Sequence, residues 1–336
     1  MESTGAQQVF FNHIRGLLPP NISFVDEIAG VLDISNDSAY RRIRGEKPIA
    51  LEEIKKLCIK YKISLDQLLH LNSESVVFSG KLAHAQNFNF ELYLQDFLRQ
   101  HEIINSFEQK ELLILSKDVP LHHYYNFPEL AAFKYFFWMK TIMHYPDYNK
   151  AVFNPSTMTE NLMKTGEKIL ATYNKIPSTE IWNVENVNTT LRQIEYYIET
   201  NVFACKEDVL KVYDCLEKSI DHVELQAEAG YKINQPGKGP RQGASLNLYI
   251  NEFSVGDNTY LIILNGKKMV FLVHTFLNYM STSDVTFTDY SYVYFQNILH
   301  KSTLISVVGE KDRRVFFNRI RTNILKRKNS ILSQHY

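Results

Sequence analysis

The chain has 336 residues, of which 45% are hydrophobic and 22% are charged, and its formal net charge is zero. This length predicts two domains, each with enough apolar material for a core, and the neutral balance excludes nucleic-acid binding through overall basicity, so that any such contact needs a local patch. Three widely spaced cysteines, Cys58, Cys205 and Cys215, are typical of a reducing compartment and exclude a disulfide framework.

The sequence shows neither a recognisable signal peptide nor a candidate membrane span. The first residues, MESTGAQQVFFNHIRGLLPP, lack the basic segment followed by an apolar segment that a signal peptide has. No apolar run reaches the roughly 18 residues that a membrane span needs. We therefore expect a cytoplasmic protein without a membrane partner.

The first two predicted helices have clear limits. Apolar residues at helical spacing predict a helix over residues 7–18, and two prolines follow it. Ser23 is a suitable N-cap for the second helix, in which Phe24, Ile28 and Leu32 form one apolar stripe. Ala29 is small enough to allow close approach by another helix.

The third helix is predicted to begin at Asn36, directly after a tight turn over residues 33–35. Ser35 is a good N-cap, and Gly45 ends the helix in the left-handed conformation that glycine tolerates best. Ala39 and Ile43 lie four residues apart and are expected to face the second helix. That packing leaves the following side chains pointing outward: Asn36, Asp37, Tyr40, Arg41 and Arg44.

Two more short helices complete the N-terminal segment, one with an apolar stripe from Leu51 to Cys58 and one containing Leu65, Leu68 and Leu69. Five short helices in about 65 residues, with aligned caps and one tight turn, are typical of a helix-turn-helix module that places one helix in a DNA major groove.

Specific stretches of this segment resemble the phage-repressor (Xre-type) helix-turn-helix family. The resemblance covers residues 7–72 and is carried by Ile28-Ala29, Ile34-Ser35, Ser38 to Lys47 (SAYRRIRGEK), Leu51-Glu52-Glu53-Ile54 and Ile63-Ser64-Leu65-Asp66. It implies a five-helix, lambda-repressor-like domain that binds double-stranded DNA.

Two positions depart from the family pattern. Asp33 stands where the turn usually carries glycine, and aspartate tolerates positive φ better than most residues. Ala50 stands where serine or threonine usually caps the fourth helix, which predicts the loss of about 1 kcal/mol of capping energy.

The resemblance also implies which residues contact DNA. The first residues of the recognition helix contact base edges in this family, which implicates Asn36, Asp37 and Ser38, with Tyr40 and Arg41 further along the same face. Asparagine pairs with adenine, arginine with guanine, and aspartate accepts from cytosine. Arg42, Arg44 and Lys47 are expected to neutralise flanking phosphates. The full predicted DNA-binding set is Ser35, Asn36, Asp37, Ser38, Tyr40, Arg41, Arg42, Arg44 and Lys47.

The long C-terminal segment is predicted to be mostly helical. Helices are expected over residues 129–145, 158–173, 186–200, 206–230, 290–301 and 311–328. A small antiparallel meander is expected over residues 245–274, with Asn265-Gly266 as a hairpin turn. The predicted class is therefore α+β and mostly helical: a helix-turn-helix domain (1–72), a linker (73–88) and a larger C-terminal regulatory or dimerisation domain with a small antiparallel sheet (89–336).

No motif for catalysis, a cofactor or a metal is recognisable. The Gly237-Lys238-Gly239 segment lacks the spacing of a phosphate-binding loop, and the adjacent His122 and His123 are expected to point apart. We therefore expect that the protein is not an enzyme. His122 and His123 are expected to lie at the surface or to be hydrogen-bonded in the core.

Two features of the C-terminal segment leave alternatives open. The aromatic residues crowded between Tyr124 and Trp138 are expected to be mostly core, but those that face a cavity could line an apolar effector site. The basic helix over residues 311–328 is expected to be a packed terminal helix with a solvated face, with a dimer contact or an extra phosphate contact as alternatives.

Together these features predict a sequence-specific, DNA-binding transcriptional regulator. A homodimer is expected, because one short helix contacts too few bases for a specific site. Dimerisation and the sensing of a small-molecule or protein effector are assigned to the C-terminal domain. The alternative is a protein-interaction adaptor that uses the same helical fold without binding DNA.

Overall fold

The computed structural model describes residues 5–18, 22–61, 63–69, 75–80, 88–234, 241–253, 256, 258–275 and 277–333. The chain divides into two compact units, residues 1–77 (unit 1) and residues 78–336 (unit 2). Each unit has a hydrophobic core of its own. Among the described residues, no helix is both long enough and apolar enough to cross a membrane.

Unit 1 contains the five predicted helices: α1 (Ala6–Leu17), α2 (Phe24–Leu32), α3 (Asn36–Ile43), α4 (Leu51–Tyr61) and α5 (Leu65–Leu69). Each of the first four contributes one buried stripe, as the apolar spacing predicts. Ala29 and Ala39 are both buried where α2 packs on α3, and small side chains at this position allow the two helices to approach closely. The core consists of Phe10, Phe11, Ile14, Ile28, Ala29, Leu32, Ala39 and Leu57.

The turn between α2 and α3 has the predicted geometry. Asp33 adopts the left-handed conformation, with φ of 58°, and its backbone N–H donates to the carbonyl of Ala29. Ser35 caps α3, because its hydroxyl accepts a hydrogen bond from the backbone N–H of Ser38 at 3.3 Å. Gly45, with φ of 77°, follows the end of α3. Aspartate thus serves at the position where phage-repressor domains usually have glycine.

Glu53 forms one half of a capping box at the start of α4, while the half that a serine or threonine at position 50 would supply is missing. Its Oε2 accepts a hydrogen bond from the backbone N–H of Ala50 at 2.9 Å. The same carboxylate accepts two hydrogen bonds from Arg42, at 2.9 Å from Nε and 2.7 Å from Nη2. One carboxylate therefore begins α4 and ties it to α3.

Gln7 fixes α1 to the loop that follows α3. Its Nε2 donates to the carbonyls of Arg42 and Lys47 at 2.7 and 2.8 Å. Its Oε1 accepts from the backbone N–H of Ile49 at 3.1 Å. These bonds pair backbone groups of Lys47 and Ile49 and give the Arg42 carbonyl a donor besides Gly45, so one side chain holds the end of α3.

Unit 2 is built from eight α-helices among the described residues. They are α6 (Phe90–Asn105), α7 (Leu121–Tyr124), α8 (Pro128–Phe137), α9 (Glu160–Tyr173), α10 (Asn188–Glu199), α11 (Lys206–Ala229), α12 (Val285–Leu299) and α13 (Glu310–Ser333). A π-helical turn (Trp138–Ile142) continues α8, and two short 3₁₀ turns follow (Pro146–Tyr148 and Pro155–Thr157).

Nine described strands form the sheet of unit 2. They are β1 (Ser79–Gly80), β2 (Lys110–Leu115), β3 (Ser178–Trp182), β4 (Tyr231–Ile233), β5 (Gln242–Ile250), β6 (Thr259–Leu264), β7 (Lys267–Val273), β8 (Tyr279–Thr282) and β9 (Thr303–Leu304). The order is β1-β8-β7-β6-β2-β3-β5-β4, and β9 also pairs with β5. The β2–β3 and β3–β5 pairs are parallel, whereas the other pairs are antiparallel.

The sheet corrects the prediction of a small antiparallel meander. The predicted hairpin is present, since β6 and β7 are joined by Asn265 and Gly266, both with positive φ. However, the sheet is mixed and larger, because β2 and β3 were not expected as strands. Both are short and largely buried, so they lack the alternation of polar and apolar residues that marks a half-exposed strand.

Helices cover both faces of the sheet, as the side chains of β2 indicate. Leu112 and Ile114 belong to the large core formed with α6 to α11 and α13. Leu113 and Leu115 belong to a smaller core on the opposite face, together with Phe295 of α12. Alternate residues of a strand point to opposite faces, so β2 contributes to both cores.

The basic terminal helix is a packed element whose charges are compensated. In α13, Arg321 pairs with Asp221 and Glu224 of α11, and Lys328 pairs with Asp214 and Glu217 of the same helix. Phe316, Phe317, Ile320 and Ile324 are buried. This arrangement agrees with the packed-helix interpretation of α13.

We expect Glu53→Ala to destabilise unit 1 by about 3 kcal/mol, because it leaves the guanidinium of Arg42 unpaired and removes the acceptor for the backbone N–H of Ala50 at the start of α4. Amide hydrogen exchange on peptides from α3 and α4 of the full chain measures this loss. Glu52→Ala is the control, since the neighbouring Glu52 is exposed. Equal exchange rates in the two variants would contradict the assignment.

Candidate functional site

One exposed surface of unit 1 contains most of the predicted DNA-binding residues. It is formed by α3 with the residues beside it, and we call it the α3 surface. Ser38 is half-buried beneath it. The exposed residues are Ser35, Asn36, Asp37, Tyr40, Arg41, Arg44 and Lys47.

Arg42 does not belong to the α3 surface, which corrects its predicted role as a phosphate contact. Its side chain is 8% exposed and donates to Glu53 through two nitrogens and to the carbonyl of Ser38 through Nη1. A guanidinium held in a buried, bidentate ion pair is not available to a phosphate. Arg42 positions α3 instead.

Neighbouring side chains orient several groups of the α3 surface. The amide nitrogen of Asn36 donates to Oδ1 of Asp26 at 2.7 Å. The guanidinium of Arg44 lies 5.5 Å from the ring centroid of Tyr40 and pairs with Glu46 at 3.3 Å. These contacts are exposed, so each contributes little energy and leaves the groups free to rearrange.

The local charge of the α3 surface is weakly positive. Arg41, Arg44 and Lys47 are exposed cations, against the exposed carboxylates of Asp37 and Glu46. The pairing of Arg42 with Glu53 removes one cation that the sequence alone would count. Because the excess is small, an interaction with DNA would depend on placed contacts rather than on bulk charge.

The crowded aromatic residues of unit 2 separate into two groups. Phe133, Tyr135 and Phe136 are buried in the large core. Tyr124 and Trp138 belong to the same core but also line a cavity of about 590 Å³. A volume of this size lies within the range of small-molecule sites. Two of the crowded aromatic residues therefore face a cavity, which is what an apolar effector site would require.

His122 and His123 are both buried and point to different partners. His122 Nε2 lies 2.8 Å from Nε2 of His101, and its ring stacks on Tyr173 at 4.2 Å. His123 Nε2 lies 3.1 Å from Oε2 of Glu180. The histidines are therefore hydrogen-bonded core groups and not surface groups, and the two rings point apart as expected.

Glu180 is a fully buried carboxylate that the sequence analysis did not identify. It accepts hydrogen bonds from Trp182 Nε1 at 3.0 Å and from the hydroxyl groups of Tyr173 and Ser178. Although burial opposes ionisation, His123, the charge of Lys232 and the Tyr173 hydroxyl lower the pKa of Glu180 to about 2. Its position inside a short buried strand gave no sequence signal, because a lone charged residue usually lies at a surface.

Lys232 lies beside this carboxylate network and is also fully buried. Its ammonium donates to the carbonyls of Tyr173 and Ile176 at 3.1 and 2.5 Å, and it lies 3.4 Å from the ring centroid of Tyr173. Burial lowers the pKa of Lys232 to about 7, with Glu180 opposing the shift. The backbone carbonyls thus replace the water that this cation has lost.

Gly237-Lys238-Gly239 lies outside the described residues. In the part of the chain that the structure describes, no group of three or more histidine, cysteine, aspartate or glutamate side chains is arranged to hold a metal ion.

Comparison with known proteins finds a similarity to one family model. A model of the BetR domain, a helix-turn-helix-like N-terminal domain associated with regulators, matches residues 16–86. The match covers α2 to α5 and most of the predicted linker. No curated protein and no solved structure matches the chain. The N-terminal part of the chain is therefore similar to the BetR domain.

We expect the free energy of unfolding of unit 2 to rise between about pH 5 and pH 6.5. Burial lowers the pKa of His101 to about 4 and that of His122 well below its ordinary value of about 6.5. In this window the unfolded chain binds more protons than the folded chain, so stability increases with pH.

Tryptophan fluorescence measures this dependence on unit 2 alone, because both tryptophans, Trp138 and Trp182, lie there. The double variant His101→Leu/His122→Phe should flatten the slope, whereas His300→Gln, at an exposed position, should leave it unchanged. An unchanged slope in the double variant would refute the assignment.

Proposed function

We propose that unit 1 binds double-stranded DNA sequence-specifically, with α3 in the major groove, and that the protein is a transcriptional regulator. The observation that carries this proposal is the geometry of α3. The helix follows a tight turn, is capped by Ser35, and presents Asp37, Tyr40 and Arg41 to solvent. The similarity of this part of the chain to the BetR domain supports it.

The α3 surface offers groups for both kinds of DNA contact. Arg41 can donate two hydrogen bonds to guanine, and Asp37 can accept one from cytosine. Arg44 and Lys47 lie further along the chain and can neutralise phosphates. Asn36 keeps its amide oxygen available while its nitrogen donates to Asp26. The proposed contacts agree with the resemblance to phage-repressor domains.

The regulator is proposed to act as a homodimer. A helix of eight residues covers only a few base pairs, and two copies related by a two-fold axis would cover a palindromic site with half-sites one helical turn apart. Unit 2 is the proposed place of dimerisation, since it is the larger unit.

We expect Arg41→Ala/Arg44→Ala to lower the affinity for the preferred sequence at least about tenfold. The variant should also flatten the dependence of log K on log salt by about 0.9 for each DNA phosphate that it no longer neutralises. The preferred sequence comes first from selection out of a random DNA pool with the full chain. Gel-shift titrations over a range of salt concentrations then compare the variant with the unaltered protein.

The control is Lys55→Ala/Lys56→Ala, which removes two exposed cations from α4 instead of α3. This variant should keep its preference for the selected sequence. If the folded protein enriches no sequence, or if both double variants weaken binding equally, the proposal fails. The first of these results would favour the adaptor, in which the same helices contact another protein.

A further inference from the structure

The cavity of unit 2 has an apolar wall and an opening to solvent. Its volume of about 590 Å³ is enclosed by side chains of α6, β2, α7, β6 and β7, with Phe97, Leu112 and Leu277 among the apolar ones. Lys117 and His274 lie at the exposed side of the lining. A small molecule with an apolar body can therefore enter and lose its contact with water.

One end of the cavity contains a buried cation. Lys134 of α8 is 5% exposed, and its ammonium donates to Gln193 Oε1 at 2.7 Å and to Thr190 Oγ1 at 3.2 Å. An ammonium has three N–H donors, so one donor has no acceptor among the described residues. Burial lowers the pKa of Lys134 to about 8, and Asp118 opposes the shift. The group is therefore mostly protonated at neutral pH.

A second unused donor lies close to Lys134. The indole Nε1 of Trp138 is buried and has no hydrogen-bond partner within the described part of the chain. The ammonium of Lys134 lies 6.0 Å from the Trp138 ring centroid. Trp138 also begins the π-helical turn that continues α8, and π-helical turns are frequent at functional sites. Lys134 and Trp138 both line the cavity, so their unused N–H donors are available there to an anionic group.

Asp118 adds an acceptor at the same cavity. Its Oδ1 is buried and accepts no hydrogen bond from any described residue. Asp118 is near enough to Lys134 to raise the lysine pKa, yet the two do not form an ion pair within 4 Å. The Lys134 ammonium and the Asp118 carboxylate line the same cavity without pairing with each other. Together they complement a ligand that carries both charges.

We infer that this cavity binds a zwitterion with an apolar body, in the size range from an apolar amino acid to an apolar dipeptide. The ligand carboxylate would accept from Lys134 and Trp138, and the ligand ammonium would donate to Asp118. The apolar body would pack against Phe97 and Leu277. This inference does not rest on DNA binding, because it concerns unit 2 and is tested there.

The first test compares matched ligands on the full chain. Phenylalanine and leucyl-phenylalanine carry both charges, 3-phenylpropionate carries only the carboxylate, and phenethylamine carries only the amine. Isothermal titration, with tryptophan fluorescence as a second signal, should show that at least one zwitterion binds about tenfold more tightly than either single-charge analogue. No binding of either zwitterion up to about 10 mM, or equal binding of all four compounds, overturns the inference.

The second test assigns the two ends of the ligand. Lys134→Met and Asp118→Asn should each weaken binding of the zwitterion about tenfold or more. Asp118→Asn should bind 3-phenylpropionate at least as well as the unaltered protein, because the repelling carboxylate is gone. The controls are Lys140→Met, whose lysine donates to the carbonyls of Tyr148 and Asn149, and Asp147→Asn at an exposed position.

Asp118→Asn preserves the size of the side chain. If Lys134→Met does not fold, Asp118→Asn therefore tests by itself whether the cavity binds a zwitterion. Unchanged affinity for the zwitterion in the folded Asp118→Asn variant would overturn the assignment of the ammonium end. Equal losses in the two control variants would show a general effect of unit 2 stability and would likewise overturn the inference.

Discussion

A charged side chain that is buried away from water needs a compensating partner inside the protein. This constraint separates the charged groups that stabilise the fold from those that remain available to a ligand. Arg42 is neutralised by Glu53, Glu180 is surrounded by His123 and three neutral donors, and Lys232 is held by backbone carbonyls. These groups hold elements together. Groups that the fold leaves unpaired, at the surface or in a cavity, are those that a ligand can use.

In unit 1 this constraint gives two neighbouring arginines opposite roles. Arg41 is exposed, while Arg42, one residue later and about 100° further around the helix, lies against α4. The carboxylate of Glu53 fixes α3 and also accepts from the backbone N–H of Ala50 at the start of α4. A stable platform and a free surface therefore come from the same short segment, which is the arrangement that major-groove binding requires.

In unit 2 the buried polar groups divide in the same way. The network around Glu180 has donors for both of its oxygens and lies in the core, so it stabilises the central strands. Around the cavity, by contrast, Lys134, Trp138 and Asp118 keep unused hydrogen-bonding capacity. An unsatisfied buried polar group is unfavourable, and a ligand that satisfies several of them at once gains affinity.

The sequence by itself determined the local features of this protein. Caps, the tight turn at Asp33, the glycine after α3 and the Asn265-Gly266 hairpin depend on residues close together in the chain, and so do the five helices of unit 1. The α3 surface was predictable for the same reason, except for Arg42. Only the tertiary structure decided what depends on distant partners: the mixed sheet, the pairing of Arg42 with Glu53, the burial of Glu180, and the placement of Lys134 and Asp118 on one cavity. Buried strands have no alternation to reveal them, and a charge in the sequence does not indicate which partner the fold will bring to it.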